Sequence, residues 1–193
     1  MARRASLATA CTLLVLAAAL AGCGNSRTPV PSLASPVAAG ALRWLRFPAE
    51  GLQIRAPVNW VVIGGRPPLV TTISLSSSVA ALWNYPRRTP APAGPAALAA
   101  AQGKLIAAAQ RKDPSLRLIR ARVATVAGYP AIELDAFEQL KGSPRRVRST
   151  HVFTGTSEVV LDEYAPTATF HSVDHAVFSP LKRSLRLTSA ASG

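Results

Sequence analysis

Apolar and polar residues alternate near the start of the folded part of this chain. Leu52, Ile54 and Ala56 fall on one side of an extended segment, with Gln53 and Arg55 on the other, the period of two that marks a strand with one buried face. The pattern predicts strands over Leu42–Phe47 and Leu52–Ala56 around a Pro48-Ala49-Glu50-Gly51 turn. An apolar strand over Trp60–Ile63 follows, stopped by Gly64-Gly65 and Pro67-Pro68, and then a strand pair over Leu69–Leu75 and Val79–Tyr85 around Ser76-Ser77-Ser78.

The period then changes. From Pro95 to Lys112, Leu98, Ala101, Leu105, Ile106 and Ala109 lie on one helical stripe. Pro95 suits a first turn, Arg111 and Lys112 complement the dipole at the end, and Asp113-Pro114 stops the helix. Alternation returns in Leu118–Val126, where Ile119, Ala121 and Val123 are expected inward and Arg120 and Arg122 outward. In Ala131–Leu140, Ile132, Leu134 and Ala136 are expected on one face and Glu133 and Asp135 on the polar one. Arg145–Thr154 and Glu158–Tyr164 complete an antiparallel meander. A last helix is expected over about Ser172–Ser184, with Ser172 as N-cap and Pro180 as a kink or a late restart. Strands, a helix, a meander and a closing helix predict an α+β fold with a mostly antiparallel sheet between helices.

The N-terminal run has a different character. Met1–Arg4 are basic, Leu7–Ala21 are apolar, and Leu20-Ala21-Gly22-Cys23 match the lipobox of a bacterial lipoprotein precursor. The run is shorter than the roughly 20 residues of a membrane span. Residues 1–22 therefore read as a lipoprotein signal peptide and Cys23 as the acylated residue, its nucleophilic sulfur taking the lipid. Two acyl chains, such as palmitate, make anchoring stable where one does not. Residues 23–41, with Pro29, Pro31 and Pro36, read as an extended tether, 42–187 as one folded domain and 188–193 as a frayed tail. Cys11 leaves with the signal and no cysteine follows Cys23, so an internal disulfide is excluded and an ordinary core must hold the domain. The expected location is the extracytoplasmic face of the cell membrane.

Charge bears on partners. The net formal charge is +13, and +11 once Arg3 and Arg4 leave with the signal; the chain has 18 arginines and 4 lysines. Export argues against a nucleic-acid partner. Anionic lipid or wall polymer remains as a target, at about 1 kcal/mol per basic residue near an anionic surface. An arginine-rich coding bias accounts for the composition equally well.

Catalytic chemistry finds little support. His171 and His175 have helical ligand spacing, with Asp174 and His151 as completing groups, but an N-cap at Ser172 puts His171 outside the helix, and solvent-exposed histidines are the preferred reading. Gly155-Thr156-Ser157-Glu158-Val159 approaches a nucleophile elbow but lacks the second glycine and joins two strands. No catalytic residue, metal or cofactor is assigned. For binding, Trp83, Tyr85, Arg87 and Arg88 set two aromatics beside two arginines, fit for a sugar ring or lipid interface, although a core strand end running into a solvated turn is the preferred reading. Arg146 and Arg148, with Arg145, Arg120 and Arg122, offer a cationic stripe for a carboxylate or phosphate; cross-strand pairing with Glu133, Asp135 and Glu138 is preferred.

With these elements placed, the chain resembles the PsbP-like superfamily, which includes an extrinsic photosystem subunit and bacterial lipoproteins of the LpqN type. The resemblance spans about Leu42–Leu187. It rests on Phe47-Pro48, on Leu52-Gln53-Ile54-Arg55-Ala56-Pro57-Val58-Asn59-Trp60, on Gly128-Tyr129-Pro130-Ala131-Ile132 and on Ser184-Leu185-Arg186-Leu187. It implies an α/β/α sandwich around a twisted antiparallel sheet, and a binding or assembly role in preference to catalysis. The expected function is a non-catalytic accessory module of the envelope, with an envelope protein, lipid or wall polymer as partner and the oligomeric state left open. The alternatives are a carrier of a small molecule or lipid, and an envelope hydrolase or metal-dependent enzyme.

Overall fold

Among the described residues the alternating segments become ten strands, every pair of them antiparallel, in two sheets. The computed structural model describes residues 39–140 and 142–187. Leu20, Ala21, Gly22, Cys23, the rest of the leader, most of the tether and the 188–193 tail lie outside them. Strands β1 (Leu42–Phe47) and β2 (Leu52–Pro57) pair around a 3-10 turn, and the short β10 (Arg186–Leu187) joins the other edge of β2. The larger sheet has the order β3 (Val61–Gly64), β4 (Leu69–Leu75), β5 (Ser78–Pro86), β9 (Ser157–Pro166), β8 (Ser143–Phe153), β7 (Tyr129–Leu140), β6 (Arg117–Val126). Val126 stands opposite Tyr129, so Ala127 and Gly128 alone make the β6–β7 turn, both with positive φ (52° and 84°), as a two-residue hairpin that follows strand twist requires.

Helix α1 (Gly94–Lys112) covers one face of the larger sheet, where Leu98 packs with Ile132, Leu134 and Phe153. The last helix, α2, covers the other together with the small sheet. It is α-helical over Phe170–Val173, widens to π over Asp174–Phe178 and returns to α over Ser179–Arg183. Phe170, Val173, Val177, Phe178 and Leu181 join Leu52, Ile54 and Ala56 in the main core. Trp60 is buried there against Phe178, edge to face at 6.1 Å, filling the space between sheet and helix as its size predicts. The described residues fall in one compact unit, and both cores are closed by residues of that unit.

Three expectations change. Ile119 and Val123 are 44% and 46% exposed. A bulge between Leu118 and Arg120 turns Ile119 out and brings Leu118 and Ala121 beneath α1, and β6 is an edge strand that α1 covers only in part. Helix α2 begins at Phe170, so His171 lies inside it and Ser172 is no cap; the Ser172 hydroxyl instead donates back to the Thr169 carbonyl. Pro180 stands in the first turn of the α-helical segment that restarts at Ser179, the restart that is the alternative to a kink. It brings no N–H to the ladder, and the turn before it widens so that the Ser179 amide reaches the Asp174 carbonyl.

The third change concerns charge. Glu133 and Asp135 do not face solvent but lie buried between sheet and α2. Glu133 accepts from Arg122 and, at 2.6 Å, from Lys182. Burial alone would raise its pKa, but these two cations hold it below the usual carboxylate range. Arg146 grips Asp135 with two bonds of 2.9 and 2.6 Å and lies over the Phe170 ring. Arg148 forms two bonds, 2.7 and 2.8 Å, to Asp174 of α2. Arg146 and Arg148 are thus taken up by pairing, the preferred reading, and not by a cationic stripe, with Asp174 of α2 as the partner alternation did not indicate; each guanidinium has a carboxylate in bidentate geometry.

Candidate functional site

The face of the sheet beneath α1 is incompletely filled. Leu98 alone of α1 is buried, since much of the stripe below it is alanine, and a cleft of about 620 Å³ opens beneath the C-terminal half of the helix. Its walls are Leu105, Ile106, Ala108 and Ala109 of α1 with Leu116, Leu118, Leu134, Ala136, Val147 and Val160. Its polar groups are Tyr85, Glu138, Ser149, His151, Glu158, Asp162 and Tyr164, with Lys112 and Asp113 at the end of α1.

Strand register assembles this floor. The β8–β9 hairpin is closed by Thr154, whose hydroxyl and amide both meet the Ser157 carbonyl and whose Oγ1 accepts from the Ser157 amide. That turn sets Ser149 opposite Asp162 and Phe153 opposite Glu158, so Ser149, His151, Glu158 and Asp162 share one face by the alternation of strands. Ser149 Oγ donates to Asp162 at 2.6 Å and stands 3.0 Å from His151 Nε2; His151 Nδ1 is 2.7 Å from Glu158 Oε1. The other Glu158 oxygen accepts from Arg87 at 2.9 Å. The hydrogen bond from His151 holds the Glu158 pKa down against burial, with Arg87 adding to the effect. Burial pushes the Asp162 carboxyl up, against opposing pulls from Ser149, His151, Trp83 and Lys112. Glu138 is raised by burial and by the neighbouring Asp113 and Asp162 charges.

Serine, histidine and glutamate in a chain have the connectivity of a hydrolytic triad, but the surroundings differ from one. Ser149 lies mid-strand between β7 and β9, its amide committed to the ladder, so it has no spare backbone donor for an oxyanion. Its hydroxyl proton is given to Asp162 at 2.6 Å, so it is directed away from His151, the group that would have to take it in an attack. The arrangement is better suited to receiving a ligand's donors than to attacking a carbonyl. Tyr85 and Tyr164 line the cleft as well; burial is the main cause that raises both phenols, so both stay protonated and able to donate.

The residues singled out in sequence divide between the two faces. Trp83 and Tyr85 stack at 6.1 Å with an interplanar angle of 15°, and Tyr85 borders the cleft. Arg87 is the clamp on Glu158, lying over Phe153 at 5.3 Å; Arg88 is exposed beyond it. Arg146 and Arg148 lie on the opposite face and take no part. His171 and His175 are exposed on α2 while Asp174 turns inward to Arg148 and Ser179; His151 is across the sheet. These four do not meet. Ser157 closes the hairpin instead of presenting a nucleophile. Sequence reading missed Ser149, Glu158 and Asp162 as a group. The available signal was their period-two placement on two adjacent strands joined by a short turn, on the face that also carries apolar Val147 and Val160.

No family model and no curated protein matches this sequence. Among solved structures, the chain is similar to the solution structure of the cyanobacterial PsbP protein CyanoP from Synechocystis sp. PCC 6803, with TM-score 0.57, 11% identity, and coverage of 87% of this chain and 98% of that one. It is also similar to LpqN of Mycobacterium tuberculosis, described as involved in cell envelope biogenesis, with TM-score 0.53, 15% identity, and coverage of 77% and 91%. The antiparallel sheet with α1 on one face and α2 on the other is therefore a PsbP-like α+β fold.

Proposed function

We propose that this chain is a lipid-anchored, non-catalytic binding module of the bacterial cell envelope, and that it holds its ligand in the cleft beneath α1. The observation that carries the reading is the pairing of apolar walls with a floor of acceptors, Asp162 and Glu138 among them, in one cleft of about 620 Å³, within the range of small-molecule sites. A ligand with an apolar body and a donor-bearing end, hydroxyl or ammonium, matches that lining. An anionic head does not. The location draws on the Cys23 lipobox and on the envelope role of LpqN, which has the same fold. No helix among the described residues is long and apolar enough to cross a membrane.

Two measurements test this. Labelled palmitate should enter the chain in cells and be lost in Cys23→Ser. Decylamine should bind the protein and change the fluorescence of Trp83, while decanoate binds at least tenfold more weakly. Ala108→Trp, at an exposed position on the cleft wall, should abolish decylamine binding without lowering the melting temperature. Equal binding of both probes, or binding indifferent to Ala108→Trp, would sink the cleft reading.

A further inference from the structure

The outer face of the three-stranded sheet carries a second arrangement, separate from the cleft. Trp44 on β1 stands opposite Arg55 on β2, and Arg186 on β10 stands opposite Gln53 one step along. Two guanidinium groups address the one indole, Arg186 at 4.6 Å and Arg55 at 5.8 Å from the ring centroid. Arg183, at the end of α2, shares with these residues a shallow cleft of about 370 Å³. A guanidinium stacked on an aromatic ring keeps its N–H edge available to a phosphate or carboxylate.

These arginines lack the counterions found elsewhere. Of the nine carboxylate side chains in the chain, Asp113, Glu138, Glu158 and Asp162 line the cleft beneath α1. Glu133, Asp135, Glu163 and Asp174 face the cations between sheet and α2. Only Glu50 remains, on the turn between β1 and β2, and no ion pair to Arg55, Arg183 or Arg186 forms among the described residues. Arg55 Nε is buried without an acceptor. Like charges gathered on one face repel, and an anion among them relieves the repulsion.

We propose that this face binds the phosphate of an anionic phospholipid headgroup, with Arg55, Arg183 and Arg186 on the phosphate and Trp44 at the boundary with the acyl chains. A lipid is favoured over a soluble anion because the cleft is shallow and built around an indole, a side chain that seats at the water–hydrocarbon boundary. β1 is also the first element of the described residues, so this sheet lies closest in sequence to the lipid anchor proposed at Cys23.

Flotation of the Ala34–Gly193 unit with vesicles, free of any acyl anchor, is the test. The unit should float with phosphatidylglycerol–phosphatidylcholine vesicles and stay down with phosphatidylcholine alone. Arg55→Gln with Arg186→Gln should weaken binding about thirtyfold, from two charges at about 1 kcal/mol each near an anionic surface. Lys104→Gln with Arg111→Gln, which removes the same charge from the exposed face of α1, should leave most of it. Arg186→Gln alone, at an exposed position, gives an intermediate loss and covers the case in which Arg55→Gln unfolds the sheet. The proposal is overturned if phosphatidylglycerol does not recruit the unit, or if the α1 control loses as much as the double variant. It is also overturned if inorganic phosphate perturbs Trp44 fluorescence while vesicles are ignored, which marks a soluble-anion site.

Discussion

Glu163 shows how one residue sets a pH dependence. Its side chain is 0% exposed, and one oxygen has no hydrogen-bond partner. Arg148 has given its short bonds to Asp174 and stands 3.5 Å from the other. Burial pushes the Glu163 carboxyl up to about 8 from 4.5, with Arg148 and Lys182 only partly opposing it, whereas Asp174, with the better share of Arg148 and a bond from Ser179, is held low despite burial. A carboxyl whose folded pKa exceeds its unfolded one is neutral inside the protein at mildly acidic pH and must ionise there as pH rises. Its contribution to stability therefore declines from the ordinary carboxylate range through about 8. Glu133, Asp174 and Glu158 have lowered values and act oppositely, losing their contribution as pH falls. Stability should peak at mildly acidic pH. Glu163→Gln should raise the melting temperature by about 5 °C at about pH 9 and change it little at about pH 5. Thermal unfolding at both pH values checks this, and a shift of the same size at both would remove the buried ionisation as its cause.

At the scale of elements, α1 is held by little buried apolar contact for its length of 19 residues. Alanine gives it strong intrinsic propensity, but Gly103 interrupts the middle, no side chain caps its start, and Leu98 is its one buried residue. Elements with little buried apolar contact open at lower free energy than the global transition. Amides of the C-terminal half of α1, beside the cleft, should exchange with deuterium at least tenfold faster than those of β8 and β9, and a cleft ligand should slow them. Equal protection would contradict the loose packing. Strand and helix positions followed readily from periodicity: β4 occupies the predicted Leu69–Leu75, and α1 extends the predicted helix by one residue. What did not follow depended on neighbours. The bulge that turns Ile119 out is a property of the β6–β7 pair, and the burial of Glu133 and Asp135 depends on α2 arriving over them with Lys182. The polar floor required the register of β8 on β9, which a turn of known length supplies but alternation within one strand does not. The resemblance carried by residues such as Trp60 pointed to the fold and to no site, because those residues fill the core.

For the molecule as a whole, charge is segregated more than composition discloses. A net charge of +13 reads as a uniform excess, yet eight of nine carboxylates occupy two regions, the ionic layer under α2 and the cleft under α1. The arginines of the small sheet are left to repel one another. Pairs inside the ionic layer are shielded from salt by burial, while exposed like charges feel it strongly, since the Debye length shrinks from about 30 Å at 0.01 M to about 8 Å at 0.15 M. Screening should therefore relieve more repulsion than it weakens attraction. The melting temperature of the Ala34–Gly193 unit should rise by a few degrees over that range, and the rise should be smaller in Arg186→Gln, which removes one of the repelling charges. A melting temperature that falls with added salt would mean that exposed ion pairs dominate, and that the small sheet's arginines are balanced by partners other than solvent.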